Sequence, residues 1–152
     1  MNNEFKQIID QFPSLMKQLV NSPLRSCSDP GSPPRKGIYV FYENGTPIYV
    51  GRTDRMRARI KEHGRPSSTN NHAPFAFNLA KKNAVEKGID VNMQRGVLEK
   101  DSIFAELFSE AKKRVSQMSV KVIEINDPII QTIFEVYASI DLKTEFNDFN
   151  TH

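Results

Sequence analysis

Apolar residues recur along this chain with two periods, and the switches between them mark out its elements. Over residues 3–20, Phe5, Ile8, Ile9, Phe12, Leu15, Met16 and Leu19 fall at helical intervals, and Pro13 divides the stretch into two short helices. The period is lost over 22–35, where four prolines, four serines and one glycine read as an irregular arm. From Gly37 the pattern becomes strand, turn, strand. Residues 38–42 and 47–50 are rich in β-branched and aromatic side chains, with Asn44-Gly45 between them as a hairpin signal. A basic helix follows over about 54–63, then a polar loop, then a helix over about 74–87 closed by Gly88 as a left-handed cap. Residues 89–101 carry no clear period and read as irregular. Ile103, Phe104, Leu107, Phe108, Ala111, Val115 and Met118 make an amphipathic helical stripe, and the near-continuous apolar run 120–125 is a third strand. Asp127 as N-cap and Pro128 in the first turn open a last helix reaching about Leu142, whose core stripe is Ile130, Ile133, Phe134, Tyr137 and Ile140.

Composition narrows this little. The 152 residues suit one domain, with 1–35 as a helical leader and Pro/Ser-rich arm and 36–150 as the main unit. Lysine and arginine outnumber aspartate and glutamate by 21 to 18, a mild excess compatible with a polyanionic partner. No stretch has the apolar length of a membrane span and the amino terminus has no signal-like succession, so the expected setting is cytoplasmic, with no membrane partner. One cysteine, Cys27, and three scattered histidines give no zinc spacing.

The candidate chemistry begins in the hairpin. A plain two-residue turn at Asn44-Gly45 pairs Tyr39 with Val50 and sends Tyr39 and Tyr49 to opposite faces of the sheet. A three-residue turn, Glu43-Asn44-Gly45, with Gly45 left-handed as a bulge, pairs Tyr39 with Tyr49 and places their Cβ atoms roughly 5 Å apart on one face. A shared site therefore predicts the bulged hairpin, or another single-residue bulge of equal effect. The plain alternative is two sheet tyrosines with hydroxyls at the rim. On the basic helix, Arg59 and His63 are four apart and stack on one face, while Met56 and Ile60 point to the core. Arg52 and Arg55 extend the basic strip, which for a lone helix is usually a solvated face. Gly51 allows a sharp exit from the strand and brings Arg59 close to the tyrosines. A guanidinium fork matches two phosphate oxygens and keeps its charge.

Gly37-Ile38-Tyr39 and Tyr49-Val50-Gly51, followed by Arg59 and His63, resemble the signature of the GIY-YIG nuclease family, with valine for isoleucine in the second tripeptide. The resemblance covers roughly residues 36–150. It is extended by Glu135, matching the family's metal-binding glutamate on a later helix, and by Asn147, matching an asparagine beyond that helix. Asn150 is a second asparagine nearby, and the Phe146-Asn147 context favours Asn147. His72 lies where some members have another active-site histidine. The stretch before the third strand exceeds the minimal family domain, which marks about 89–118 as an added helical region.

The resemblance implies an α+β fold, a small three-stranded, mainly antiparallel sheet flanked by helices. It implies hydrolysis of DNA phosphodiester bonds by an endonuclease using Mg2+ or Mn2+ held at Glu135, with Arg59 stabilising charge at phosphorus. Tyr49 is the candidate general base, activated if nearby cations favour its phenolate, with Tyr39 orienting the water and His63 as the rival base. Asn147 would fix the neighbourhood of Glu135 by hydrogen bonds. Arg52, Arg55, Lys81 and Lys82 are candidate phosphate contacts. A homodimer would supply two active sites for double-strand cleavage. The alternative from a different class is a non-catalytic nucleic-acid-binding or interaction module on the same scaffold.

Overall fold

The computed structural model describes residues 1–149, so Asn150 lies outside the described residues. The expected pair of leading helices is present as α1 (Asn3–Asp10) and α2 (Phe12–Asn21). The Asn2 side chain caps the first by accepting from the Glu4 and Phe5 N–H groups, and Pro13 sits in the first turn of the second, where no N–H is required of it. The arm that follows contains a two-residue strand, β1 (Arg25–Ser26). Then come β2 (Gly37–Glu43), β3 (Thr46–Thr53), α3 (Met56–Gly64), α4 (Pro74–Glu86), α5 (Arg95–Lys100), α6 (Ser102–Ser116), β4 (Ser119–Glu124) and α7 (Pro128–Asp141).

The architecture is α+β, and its sheet has four strands in the order β1-β4-β2-β3, every pair antiparallel. This corrects the expected three. The fourth strand joins through only Arg25 opposite Val120 and Ser26 opposite Ser119, too few residues for an alternating pattern to register. A second correction is α5, a six-residue helix within 89–101, whose one buried side chain is Leu98. Among the described residues no helix is long and apolar enough to cross a membrane.

The sheet separates two cores. One face carries Tyr39, Phe41, Val120 and Val122 into a cluster with Ile60 of α3, Phe75, Phe77 and Leu79 of α4, and Phe104, Leu107 and Phe108 of α6. The other carries Ile38, Val40, Val50 and Ile123 into a smaller cluster with Phe12, Met16 and Leu19 of α2 and Phe134 and Ala138 of α7. The leader is thus packed into the second core, with α2 against both β4 and α7.

On α7 most of the expected stripe faces the second core, with Ile130, Ile133 and Tyr137 packed against it, and the far end departs. Phe134 is fully buried as expected, but Ile140 is 71% exposed, whereas Gln131 and Ser139 are buried. The helix packs along β3, and this turns its polar side inward. Gln131 is accommodated because its amide donates to the Ile125 carbonyl and its oxygen accepts from Arg52 Nη1 at 3.4 Å.

Candidate active site

The hairpin settles whether the two tyrosines can meet. Asn44 (φ 52°) and Gly45 (φ 81°) form a two-residue turn, with Glu43 opposite Thr46 and Tyr42 opposite Pro47. The register then shifts, so that Phe41 lies opposite Tyr49 and Tyr39 opposite Gly51. The three-residue turn and the direct Tyr39–Tyr49 pairing are therefore corrected. A bulge on β3 at Ile48, just beyond a proline that has no N–H for the ladder, has the equivalent effect. Both rings lie on one face, their centroids 6.4 Å apart and edge-to-face.

Gly51 acts by leaving space. A Cβ there would fall within the Tyr39 ring, which lies across the glycine and directs its hydroxyl at His63. Tyr39 Oη and His63 Nε2 are 2.7 Å apart, and both residues are buried. The imidazole is hemmed in by Tyr39, Phe41, Tyr49 and Phe75. Its Nδ1 has no hydrogen-bond partner. Burial, and then the nearby Arg59 charge, push the His63 pKa well below its ordinary value, so the ring is neutral. His63 was expected as a rival base to Tyr49, and its buried ring meets the Tyr39 hydroxyl rather than open solvent. It is sealed in, and what it holds is the Tyr39 hydroxyl.

Arg59 is presented at the same place by a clasp. Its Nη1 donates to Glu62 Oε2 at 3.1 Å and to the His72 carbonyl at 2.7 Å. Glu62 also takes two bonds from Arg55, at 3.0 and 3.4 Å. Burial works to raise the Glu62 carboxyl, but the two arginines outweigh it and hold it below the usual carboxylate range. The His72 ring is exposed and its Nδ1 pairs with Thr69 Oγ1 at 3.1 Å, so its backbone oxygen is what reaches Arg59. The loop carrying that carbonyl is itself braced. Lys112 of α6 donates to the Pro66 and Ser68 carbonyls, Ser68 Oγ donates to the Glu62 carbonyl, and Asn70 bonds Glu99 of α5. The helical region 89–118 thus buttresses Arg59.

Glu135 approaches from the other layer, at the end of β3. Its carboxylate lies near Arg52, which pulls its pKa down, and is close enough to Tyr39 and Tyr49 to raise both their pKa values. Burial lifts the Glu135 carboxyl above its ordinary range, against the pull of Arg52. Arg59 couples to both tyrosines in the opposite sense. Arg59, Tyr39, Tyr49 and Glu135 therefore share one electrostatic site, although they come from both sides of the sheet.

The expected easing of Tyr49 toward phenolate does not occur in the protein alone. Burial, only partly opposed by Arg59, pushes its hydroxyl up to about 12, and burial drives Tyr39 further from its ordinary value. Tyr49 stacks on Phe75 at 4.6 Å and remains partly accessible, unlike Tyr39.

Asn147 does something other than expected. Its Oδ1 accepts from Val50 N at 2.8 Å and its Nδ2 donates to Val50 O at 2.7 Å, so the amide occupies the edge of β3 where another strand would pair. Thr144 Oγ1 steadies Asn147 Oδ1 at 2.7 Å. The residue it fixes is the one between Tyr49 and Gly51, not Glu135, because the chain leaving α7 folds back over β3. Of the candidate phosphate contacts, Arg52 is exposed beside Gln131 and Arg55 is paired with Glu62. Lys82 is paired with Glu145 and Lys81 lines a cleft with Asn78.

Among the described residues no group of three or more His, Cys, Asp or Glu side chains is arranged to hold a metal ion. Glu135 is a carboxylate that acts on both tyrosines, and burial raises its pKa against the pull of Arg52. One such oxygen donor fits Mg2+ or Mn2+, which keep waters and take further oxygens from a phosphate. Glu62, committed to two arginines, does not offer a second.

Glu62 and Phe75 are the site residues that sequence reading missed. Glu62 drew no comment in sequence, yet its spacing of three from Arg59 and seven from Arg55 was a usable signal. No family model matches this sequence, and no curated protein does.

Proposed function

We propose that this protein is a GIY-YIG-type, divalent-metal-dependent endonuclease that hydrolyses phosphodiester bonds of DNA. The observation that carries the reading is the convergence of Arg59, Tyr39, Tyr49 and Glu135 on one site from both layers of the fold. The composition of that site suits a phosphodiester: a permanent cation for the developing negative charge, phenols that handle a water proton, and a carboxylate for a hard cation.

Arg59, held by Glu62 and the His72 carbonyl, donates to a non-bridging phosphate oxygen in a geometry fixed before substrate arrives. Tyr49, the accessible phenol, accepts the proton of the attacking water. Tyr39, locked by His63 and seated over Gly51, orients that water. Glu135 would hold the divalent ion, which would supply Lewis-acid stabilisation of phosphate charge and lower the pKa of neighbouring hydroxyls. Neutral His63 keeps the Tyr39 hydroxyl aimed without adding a buried charge beside Arg59.

The test is plasmid cleavage with Mg2+ or Mn2+, comparing wild type with Glu135→Ala and measuring DNA binding of both by gel shift. Metal-dependent nicking by wild type, lost in the variant while binding persists, is the expected result. Binding by both proteins with nicking by neither would replace the enzyme with a non-catalytic nucleic-acid module.

A further inference from the structure

We infer that the cleft between α4, the head of α5 and the chain just beyond Asn147 is a base-recognition subsite that takes a purine of the nucleic-acid substrate. This rests on the nuclease reading and names what its substrate pocket selects. The cleft has a volume of about 610 Å3, ample for a nucleobase, and is lined by Asn78, Lys81, Met93, Gln94, Arg95 and Asp148. These come from three separate segments, so their convergence is a product of the fold rather than of one helix's charged face.

Two chain connections tie the cleft to the catalytic site. Asp148 follows Asn147, whose amide holds both backbone groups of Val50, the neighbour of Tyr49. Asn78 lies three residues along α4 from Phe75, whose ring stacks on Tyr49, and at 1.5 Å of rise per residue that is about 4.5 Å of helix.

The lining chemistry distinguishes a base from a phosphate. Two carboxamides, Asn78 and Gln94, offer paired donors and acceptors. The Arg95 guanidinium lies over the Phe77 ring, 5.6 Å from its centroid, which steadies its fork. Arginine and lysine pair with O6 and N7 of guanine, and asparagine and glutamine with N6 and N7 of adenine, so each of these side chains favours a purine edge. Met93, 41% exposed, is an adaptable apolar surface for a base.

The experiment enriches bound molecules from a randomised DNA pool using the full chain carrying Glu135→Gln, so that binding is read without cleavage. Position-specific purine enrichment is expected. Adding Asn78→Ala or Gln94→Ala should reduce it about tenfold at one position while total binding changes less than twofold, since a bidentate base contact contributes about 1–3 kcal/mol of discrimination. Enrichment with no purine preference, or a preference unchanged in both variants, would overturn the subsite and leave the nuclease reading intact. Uniform weakening across all sequences would make the cleft a phosphate contact and also overturn it. Absence of any binding, together with absence of cleavage by wild type, would sink both readings.

Discussion

The two faces of the sheet are built for different ends. On the side of α2 and α7, Phe12, Leu19, Ile38, Val40, Val50 and Phe134 pack as a plain core, and the buried Gln131 has partners for both ends of its amide. On the side of α3, α4 and α6 the core is interrupted by Tyr39, His63, Glu62 and Lys112, all buried, and the His63 Nδ1 has no partner. A buried polar atom without a hydrogen bond is a cost of about 1–3 kcal/mol, and a fold optimised only for stability would remove it. The contrast teaches that the second face trades stability for a fixed arrangement of polar groups. Glu135 is the exception that links the two, since it sits on the well-packed side yet acts electrostatically on the tyrosines.

The sharpest way to break this comparison is a crossed pair of substitutions. Phe134→Ala is expected to lower stability by about 3–5 kcal/mol and Tm by roughly 10 °C, leaving kcat of the remaining folded protein within about twofold. Arg59→Ala is expected to do the reverse, lowering kcat about 10^3-fold with Tm shifted by only a few degrees. Thermal melts and single-turnover cleavage measure both. If Phe134→Ala abolished catalysis in the folded fraction, the division of labour between the faces would be wrong.

A smaller effect concerns pH. With the Tyr49 hydroxyl pushed up to about 12, the phenolate fraction rises about tenfold per unit below that value, and a bound cation moves the break downward without changing the slope. Cleavage rates should therefore climb with a log-log slope near one across neutral and mildly alkaline pH, and Tyr49→Phe should flatten the profile. A rate that falls as pH rises would exclude Tyr49 as base.

The smallest effect is on stability at Glu135. Its folded pKa is raised above the unfolded value, so the folded state binds the proton more tightly, and the contribution is favourable at acid pH and unfavourable once both forms are ionised. Glu135→Gln, in the absence of divalent metal, should thus raise Tm by about 2 °C at pH 7 and lose that advantage as pH falls through the carboxylate range. Melting curves at several pH values read this directly. A lower Tm for the variant at pH 7 would mean that the ionised carboxylate is already compensated.

Much of this was legible in the residues, and the gaps have physical causes. The tripeptides located β2 and β3, Asp127 and Pro128 opened α7 as expected, and Gly88 with φ 75° ended the segment after α4. These are local signals, decided by caps and periods within a few residues. The hairpin register was harder, because the same Asn44-Gly45 serves a turn of either length and the bulge at Ile48 follows from long-range packing of Tyr39 over Gly51. Only the far end of the α7 stripe was misread, for a similar reason. Ile140 fits a helical stripe, yet the helix is rotated by its contact with β3, where Arg52 and the Ile125 carbonyl reward a polar face. Glu62 was missed because its partners, the guanidinium groups of Arg55 and Arg59, are ordinary surface companions in sequence and become a clasp only when the His72 carbonyl closes over them.

The amide of Asn147 on Val50, joined by the Phe146 N–H donating to the Ile48 carbonyl at 3.3 Å, has a consequence for assembly. Outward-facing backbone groups of β3 are taken up by the chain's own tail, and the opposite margin of the sheet is a strand of two residues. Among the described residues the β3 margin therefore offers a second molecule no long row of free donors and acceptors. Were the proposed nuclease to pair about a twofold axis across a duplex, a sheet continued through β3 would not be the route, and the spacing of its two centres would be set by other surfaces.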